Sequence, residues 1–388
     1  MRKVYMDNGA TTQVDERVLE AMLPFFKELY GNPSSLHSFG REVKKALEEA
    51  REKTAKAINA RPEEIYFTSG GTEADNLAVQ GVARALKKKG NHIITSSVEH
   101  HAVLDVCKAL EKEGFTVTFL PVDEHGQVRV EDFRKAVTDQ TILATIMLAN
   151  NEVGTLQPVA EISAITREKG ILLHTDAVQA IGNIPVDVEE LGVDLLTMAA
   201  HKFYGPKGVG VLYVRRGTRL GKVAHGGGQE KKVRPGTENI PGIVGLGRAI
   251  ELATADIPGK AAHLTYLRDK LISGLMQIPD VKLNGHPEER LPGNANLSFE
   301  FVEGESMLLS LDMKGVAASS GSACTSGSLE PSHVLLAMGL PHEMAHGSLR
   351  FSLGKNNTEE DVDYVLQVLP EIVERLRSMS PMARKKQG

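Results

Sequence analysis

Two apolar runs, 193–198 and 209–214, flank the stretch Met198-Ala199-Ala200-His201-Lys202-Phe203-Tyr204-Gly205-Pro206-Lys207-Gly208. Both runs have the length and the Val/Leu content of buried strands. Lys202 therefore stands at the entrance of a turn held by a rigid sheet, where a partly desolvated amine can have a lowered pKa and attack a carbonyl. A lone lysine in a loop is more often simply solvated. The remaining sequence has to distinguish these two interpretations.

Strand and helix patterns alternate from about residue 15 to residue 250. Such alternation is typical of βαβ units around a mostly parallel sheet, so the predicted fold class is α/β. Besides the two runs that flank Lys202, the predicted strands are 65–68, 92–95, 116–120, 143–147 and 171–174. The predicted helices that bear on the domain division are 36–58, 73–86, 260–278 and 359–377.

The length of 388 residues favours two domains, because single cores stop growing below this size. Pro258-Gly259 interrupts the alternation, and a second set of strands and helices follows it. We predict a large domain over 15–260 and a smaller α+β domain over 1–14 and 261–388. The smaller domain carries a Gly/Ser-rich segment at about 317–330.

The composition is that of an ordinary soluble globular protein, with 41% hydrophobic and 24% charged residues. A net charge of −5 gives no basic surface for nucleic acid or an anionic membrane. No apolar run approaches the roughly 20 residues that span a bilayer, and the first residues have no apolar signal core. The two cysteines cannot form a disulfide framework, so we expect a cytoplasmic protein.

Gly70-Gly71-Thr72 follows a predicted strand and opens a predicted helix. Free backbone N–H groups, the helix dipole and the Thr72 hydroxyl could together bind an anion. The alternative is a helix cap, because Thr72 and Asp75 have nearly the spacing of a capping box. The segment lacks the G-x-G-x-x-G pattern of dinucleotide-binding proteins.

Asp176 ends a strand whose apolar run predicts full burial. A buried carboxylate needs a cationic or hydrogen-bonding partner, and the protonated ring nitrogen of a cofactor would serve. A helix N-cap is the alternative role for Asp176.

Glu99-His100-His101 and Asn150-Asn151-Glu152 also follow predicted strands. The histidines lack a Cys partner or the H-x-x-x-H spacing of a metal site, so we predict no metal. A ring stacked on a cofactor or moving protons is the sharper interpretation. Since open α/β sheets bind ligands at the carboxyl ends of their strands, these segments and Lys202 should converge there. That convergence favours a functional Lys202.

The whole set resembles the site of fold-type I pyridoxal-phosphate (PLP) enzymes of the class V aminotransferase group. It comprises Ser69-Gly70-Gly71-Thr72-Glu73, His101, Asn151, Asp176-Ala177-Val178-Gln179 and His201-Lys202. Ser320-Gly321-Ser322-Ala323-Cys324-Thr325-Ser326-Gly327 resembles the cysteine loop of group I cysteine desulfurases, the NifS/IscS family. The likeness runs from Tyr5 to Gly354, essentially the whole chain. It implies the PLP-dependent transferase fold of type I, with a seven-stranded type of sheet in the large domain.

The resemblance implies a role for each site residue. Lys202 would bind PLP covalently and later take the Cα proton of the substrate, L-cysteine. Asp176 would keep the pyridine nitrogen protonated. Gly71, Thr72 and His201 would bind the phosphate, and Gln179 would hydrogen-bond the ring oxygen. His101 would stack on the ring and transfer protons. Arg350 would bind the substrate carboxylate, and Asn151 would assist near that carboxylate and the ring oxygen.

One departure concerns the phosphate. Many relatives have Ser where this chain has Ala199, so cofactor affinity should rest more on Thr72, His201 and the backbone. Thr237 lies in a segment that, in the family, donates a threonine to the phosphate in the partner subunit, which implies a homodimer with shared sites. A turn residue after Pro235-Gly236 is the alternative for Thr237.

Cys324 lies within 317–328, which contains no large apolar side chain and should be mobile. The resemblance implies that its thiolate attacks the substrate sulfur and carries it away as a persulfide, with transient Fe–S cluster ligation as a further possibility. The alternative for any cysteine is a small buried hydrophobe, which fits Cys107 on its helical pattern but not Cys324.

A cysteine desulfurase that supplies sulfur for Fe–S cluster or thiocofactor assembly is the function that these residues imply. A NifU-like or IscU-like scaffold protein is the expected acceptor. Two alternatives stay open on the sequence: a selenocysteine lyase or another class V lyase or aminotransferase, and a binding protein that has lost catalysis. Retention of Lys202, Asp176 and Cys324 together argues against the last.

Overall fold

The structure is a computed structural model that describes residues 2–320 and 331–380. Its strands, in chain order, are β1 Val4–Tyr5, β2 Ile65–Thr68, β3 His92–Ser96, β4 Thr116–Leu120, β5 Thr141–Thr145, β6 Leu172–Asp176, β7 Leu195–Ala199, β8 Gly210–Val214, β9 Val281–Asn284, β10 Asn294–Phe299, β11 Val316–Ala317 and β12 Ser348–Ser352. Its α-helices are α1 Glu16–Met22, α2 Pro24–Lys27, α3 Ser38–Ala57, α4 Gly71–Leu86, α5 His101–Lys112, α6 Val130–Ala136, α7 Val159–Lys169, α8 Val188–Leu191, α9 Ile240–Thr254, α10 Ile257–Leu275, α11 Gly304–Met313, α12 His333–Ala337, α13 His342–His346 and α14 Glu359–Met379.

Seven strands form the central sheet, in the order β2-β8-β7-β6-β5-β3-β4. The five strands from β7 to β4 run parallel, whereas β8 runs antiparallel to both of its neighbours. All seven strands had been predicted, and the α/β fold class with a mostly parallel seven-stranded sheet is confirmed. The stretch around Lys202 is the connection between β7 and β8, paired in register from Leu195↔Val214 to Ala199↔Gly210.

The helices cover the sheet because their apolar side chains recur at helical spacing. In α3, Val43, Leu47 and Ala50 share one buried face. This face meets α9 so closely that a Cβ on Gly247 would lie 2.8 Å from the Cα of Ala50. A glycine at 247 is therefore a packing requirement of the α3–α9 contact.

A second hydrophobic core lies around the three-stranded sheet β12-β10-β9. It collects side chains from both ends of the sequence, including Val4 and Met6 of the N-terminal segment and Val365 and Leu369 of α14. Strand β1 pairs in parallel with β11, which fixes the N-terminus to this part of the molecule. We infer from these two features a division into 15–260 and 1–14 with 261–388.

The sequence predicts that Pro258-Gly259 interrupts the pattern, but in the structure both residues lie within α10. Helix α10 begins at Ile257, and the Asp256 side chain accepts a hydrogen bond from the N–H of Gly259 at 2.9 Å. Proline is tolerated in the first turn because its missing N–H would have no partner there. The dipeptide therefore starts a helix rather than separating two elements.

Along 2–320 and 331–380, no helix has both the length and the apolar composition needed to cross a membrane.

Leu369→Ala should lower the free energy of unfolding by about 2–5 kcal/mol, because the side chain is fully buried in the second core and its loss leaves a cavity. Urea unfolding followed by circular dichroism measures the change. The matched control is Leu309→Ala, at a side chain that is 62% exposed on α11. Equal stability of the two variants would contradict the assignment of Leu369 to this core.

Candidate active site

A cavity of about 290 Å³ opens at the carboxyl ends of the central strands. Its walls come from the N-terminal segment, the start of α4, the ends of β6 and β7, and β12. Its lining residues are Gly9, Ala10, Gly71, Thr72, Asp75, His100, Met147, Ala149, Asn151, Asp176, Val178, Gln179, Ala199, His201, Lys202 and Arg350. The cavity thus contains most of the predicted site residues, drawn from distant parts of the sequence.

Lys202 ends a single 3₁₀ turn, Ala200–Lys202, directly after β7. Its Nζ donates to the backbone oxygens of Gly9 and Ala10, at 2.5 and 2.9 Å. These two carbonyl groups hold the amine at the cavity wall.

Two buried carboxyls, Asp176 and Asp75, face the same cavity. Burial raises the pKa of both, and the charge of Asp176 raises that of Asp75 further. Asp176 accepts a hydrogen bond from the N–H of Val178 at 2.9 Å, and no helix follows it, so it is not a helix N-cap. Burial lowers the pKa of neighbouring His174 to about 3, so this imidazole is neutral and supplies no counter-charge. A cationic group within the cavity, such as a protonated pyridine nitrogen, fits this carboxyl pair.

The N-terminus of α4 provides an anion site at the opposite wall. Gly70 is the N-cap, with φ +155° and no side-chain cap, and Thr72 is the second helical residue rather than the cap. In the described chain the N–H groups of 71–73 donate no hydrogen bond. The first N–H of the helix that does is that of Ala74, which donates to the Gly70 oxygen at 3.1 Å. Free N–H groups at the positive end of a helix bind phosphate. The N-terminus of α4 fits the phosphate of PLP, and the carboxyl pair of Asp176 and Asp75 fits its ring nitrogen.

His100, and not His101, lines the cavity. His100 caps α5, its Nδ1 accepting from the N–H of Ala102 at 3.1 Å. His101 is the first residue inside the helix, where its ring faces outward to Asp105, at 3.8 Å, and packs on His333 with 4.9 Å between ring centroids. The sequence predicted the ring-stacking role for His101, whereas the structure brings His100 to the cavity wall, because the start of α5 decides which of the two adjacent side chains points inward.

Burial lowers the pKa of His100 to about 4, and the charge of Lys202 lowers it further. Its imidazole is therefore neutral near pH 7 and can accept a proton. Burial likewise lowers the pKa of His201 to about 4, with Lys202 and Lys207 adding to the effect. A neutral His201 can donate one hydrogen bond to a phosphate without carrying a charge of its own.

Arg350, on β12, closes the other end of the cavity. Its Nη1 donates to the Asn151 oxygen and its Nη2 to Oδ1 of Asp7, both at 3.0 Å. The Nε atom is buried and has no hydrogen-bond partner in the described chain. A buried guanidinium with an unused donor can bind a carboxylate. Asn151 lines the cavity next to it.

Gln179 and Ala199 lie in the cavity wall as the sequence placed them. The amide of Gln179 donates to the Gly9 oxygen at 2.9 Å, so the N-terminal segment orients it. Ala199 is buried beside Gly71, where an added Cβ would be 3.8 Å from the Ala199 methyl. The absence of a hydroxyl at 199 leaves this wall apolar.

Thr237 does not line the cavity, and it is exposed. Cys324 lies outside the described residues. Ser319, shortly before it, exchanges two backbone hydrogen bonds with Arg350, at 3.1 and 2.6 Å. Cys107 is buried, and burial raises its pKa to about 12, with Glu99 and Glu111 contributing, as expected for a core cysteine.

The sequence did not single out Asp75, Gly9 or Ala10. Asp75 lies one helical turn after Gly71, so its inward direction follows from the helix period once the helix start is known. Gly9 and Ala10 carry no functional side chain and contribute only carbonyl oxygens. No sequence signal identifies such acceptors.

Comparison with known proteins agrees with this geometry. The family model for Aminotransferase class-V matches residues 4–365. This chain belongs to the class-V aminotransferase family. The family resemblance inferred from the sequence is therefore confirmed, and with it PLP as the cofactor of this class-V protein.

Similar proteins bear the names of a cysteine desulfurase or of a NifS-like protein. The chain is 58% identical to a protein of Methanosarcina thermophila named Cysteine desulfurase IscS, over 99% of this chain and 95% of that one. It is 59% identical to a protein of the same name from Clostridium botulinum, over 98% and 97%. A solved structure named NifS-like protein superposes with a TM-score of 0.91 at 44% identity, covering 96% of this chain and 100% of that one.

Acid should destabilise the cofactor-free protein partly through His100. The pKa of His100 is about 4 in the folded protein and ordinarily 6.5. Below pH 6.5 the unfolded chain therefore takes up a proton that the folded protein does not, and the free energy of unfolding falls as the pH drops from 6.5 towards 4. The loss amounts to up to about 3 kcal/mol. His100→Gln should show a shallower decline in unfolding free energy between pH 7 and 4, measured by urea titration. An unchanged pH profile would contradict the buried, neutral imidazole; His225→Gln at an exposed position is the control.

Proposed function

We propose that this protein is a PLP-dependent cysteine desulfurase that converts L-cysteine to L-alanine and passes on the sulfur. The observation that carries the proposal is the cavity that combines the Lys202 amine, the buried Asp176 carboxyl and the partly unsatisfied Arg350 guanidinium. The names of the close relatives support this activity. They do not favour a selenocysteine lyase or another class V lyase.

PLP would be held by groups at both ends of the cavity. The N–H groups that begin α4, the Thr72 hydroxyl and His201 would bind the phosphate, and Asp176 would bind the ring nitrogen. Lys202 would form the covalent link, with Gln179 near the ring. When bound, PLP supplies an electron sink that stabilises negative charge on the substrate carbons.

Substrate binding and proton transfer would fall to three residues of this chain. Arg350 would take the cysteine carboxylate through its Nε and the edge of its fork, while Asp7 and Asn151 hold the guanidinium in place. The Lys202 amine would move the Cα proton. His100, neutral at pH 7, would accept and return protons at the ring face, the role that the sequence had assigned to His101.

Sulfur transfer would depend on Cys324. Its thiolate would attack the substrate sulfur, so that a new S–S bond forms while the C–S bond breaks. The electron pair of the C–S bond stays with the carbon, which takes up a proton and leaves as alanine. Ser319, tied to the backbone of Arg350, supports this role because it begins the segment beside the substrate carboxylate site.

A homodimer is part of the proposal. Six large apolar side chains from α1 to the start of α3 are 46–91% exposed, which is an unusual number for so short a segment: Leu19, Leu23, Phe26, Tyr30, Leu36 and Phe39. A second copy of this chain would cover them. Thr237, exposed here, would then donate to the phosphate in the partner's site.

The acceptor in this proposal is an Fe–S scaffold protein of the NifU-like or IscU-like kind, and the protein acts as a sulfurtransferase in the cytoplasm. A reducing compartment suits a chain with only two cysteines, one of them buried in the core. The cysteine loop then delivers its persulfide to the acceptor.

Incubation with L-cysteine and a reductant should give alanine and sulfide in equal amounts. Lys202→Ala should abolish both products and leave no borohydride-reducible link between cofactor and protein. Amino-acid analysis and sulfide assay measure the products, and mass spectrometry locates the reduced adduct. Pyruvate in place of alanine would indicate a lyase, and an adduct on another lysine would move the assignment.

Cys324→Ala should still bind L-cysteine at the cofactor, seen as a change in visible absorbance, but should form no protein persulfide. Turnover should fall by about 100-fold or more, because the nucleophile is lost. Cys107→Ala is the matched control and should keep persulfide formation. Persulfide labelling on Cys107 in the wild-type protein would refute the assignment.

A further inference from the structure

Three consecutive residues in the connection before α9 have left-handed backbone conformations, and none of them is glycine. Glu230, Lys231 and Lys232 have φ values of +43°, +54° and +69°. Side chains disfavour this region because the Cβ approaches the following carbonyl oxygen. A run of this kind persists only where surrounding contacts hold it.

The Glu230 carboxylate provides that hold. It accepts from Nη1 and Nη2 of Arg51, at 2.9 and 2.8 Å, and from the N–H of Phe67 at 2.8 Å. Arg51 also donates to the Ile65 oxygen at 2.7 Å. The exposed fractions of the two side chains are only 7% and 2%. The bidentate pair thus fixes the left-handed turn to α3 and to strand β2.

Arg234 follows this turn and reaches the first turn of α4. Its Nε donates to Oε1 of Glu73 at 2.9 Å, and Oε2 of Glu73 accepts from the N–H of Ser69 at 2.5 Å. Burial raises the pKa of Glu73, but hydrogen bonds from Ser69 and Arg234 outweigh it and lower the pKa overall. Glu73 is therefore an ionised carboxylate in the first turn of α4, the helix end that would bind a phosphate.

An unpaired carboxylate at that place would repel a phosphate dianion. Arg234 neutralises Glu73 only if the chain before it keeps its path. We propose that Arg51 and Glu230 are positioning residues that hold Arg234 on Glu73 and thereby set the affinity for PLP, without touching the cofactor. This inference rests on the proposed function, because it takes PLP as the occupant of the cavity.

A purely structural role for the pair would be to anchor α3 on the sheet, with no link to the cofactor. The two roles predict different coupling between Glu230 and Arg234 in their effects on PLP affinity. If Glu230 acts through Arg234, the effects of changing each residue on PLP affinity should not add. If Glu230 only stabilises the fold, its effect should be independent of Arg234.

The test is a double-mutant cycle on the cofactor-free full chain, with Glu230→Gln, Arg234→Met and both together. PLP is titrated into each protein, and the dissociation constant is read from the visible absorbance of the bound cofactor. Each single change should weaken binding about tenfold, the size of a charge effect at a helix terminus. The double variant should bind no more weakly than the single ones. Glu73→Gln added to Arg234→Met should restore most of the affinity.

Glycine rescue gives a second readout. Lys231→Gly with Lys232→Gly lowers the cost of the left-handed turn, so in the Glu230→Gln background it should recover part of the PLP affinity. Lys53→Met, on the same helix as Arg51 and in an exposed ion pair with Glu251, is the control and should bind as the wild type does. Thermal unfolding of each cofactor-free protein checks folding.

Wild-type affinity in Glu230→Gln, or additive losses in the double variant, would overturn the positioning role and leave the proposed function intact. Failure of the wild-type protein itself to bind PLP would overturn both. The two failures are therefore distinguishable in one titration series.

Discussion

A carboxylate buried at the end of a parallel strand is the constraint on which this site depends. Among the described residues, one backbone N–H donates to the Asp176 oxygens, and Asp75 lies in the same cavity wall. Burying one unpaired charge costs several kcal/mol, and two together cost more. The sheet carries this cost because β6 is paired on both sides by parallel neighbours. The cavity is therefore preformed to receive positive charge between the Asp176 carboxyl and the Lys202 amine.

The N-terminal segment converts this constraint into a positioned site. Gly9 and Ala10 supply carbonyl acceptors for Lys202, and Gly9 also orients Gln179. Asp7 holds the Arg350 guanidinium. One short piece of irregular chain thus contacts Lys202, Gln179 and Arg350. Most of these contacts use backbone carbonyl groups of the segment rather than its side chains. The segment can therefore position several site residues although it carries few functional groups itself.

The sheet and the strand-end residues were predictable because each depends on a local pattern. Lys202 and Asp176 follow apolar runs whose length and composition indicate buried strands, and parallel strands bring their ends together. His100 was missed because the choice between adjacent histidines depends on where α5 begins, and helix starts are poorly specified by sequence. The left-handed turn at 230–232 was not predictable either, since no glycine marks it and a distant arginine stabilises it.

The Asp7–Arg350 ion pair also has a consequence for how the protein is made. The two residues are separated by 343 positions, so the ion pair cannot form until Arg350 has been synthesised. Strand β1 likewise has to wait for β11. During synthesis the seven-stranded sheet can fold while β1, which is not part of it, is still unpaired. The carbonyl groups of Gly9 and Ala10 that hold Lys202 lie next to Asp7 in the chain, so these long-range contacts can secure them only after β11 and β12 have been synthesised.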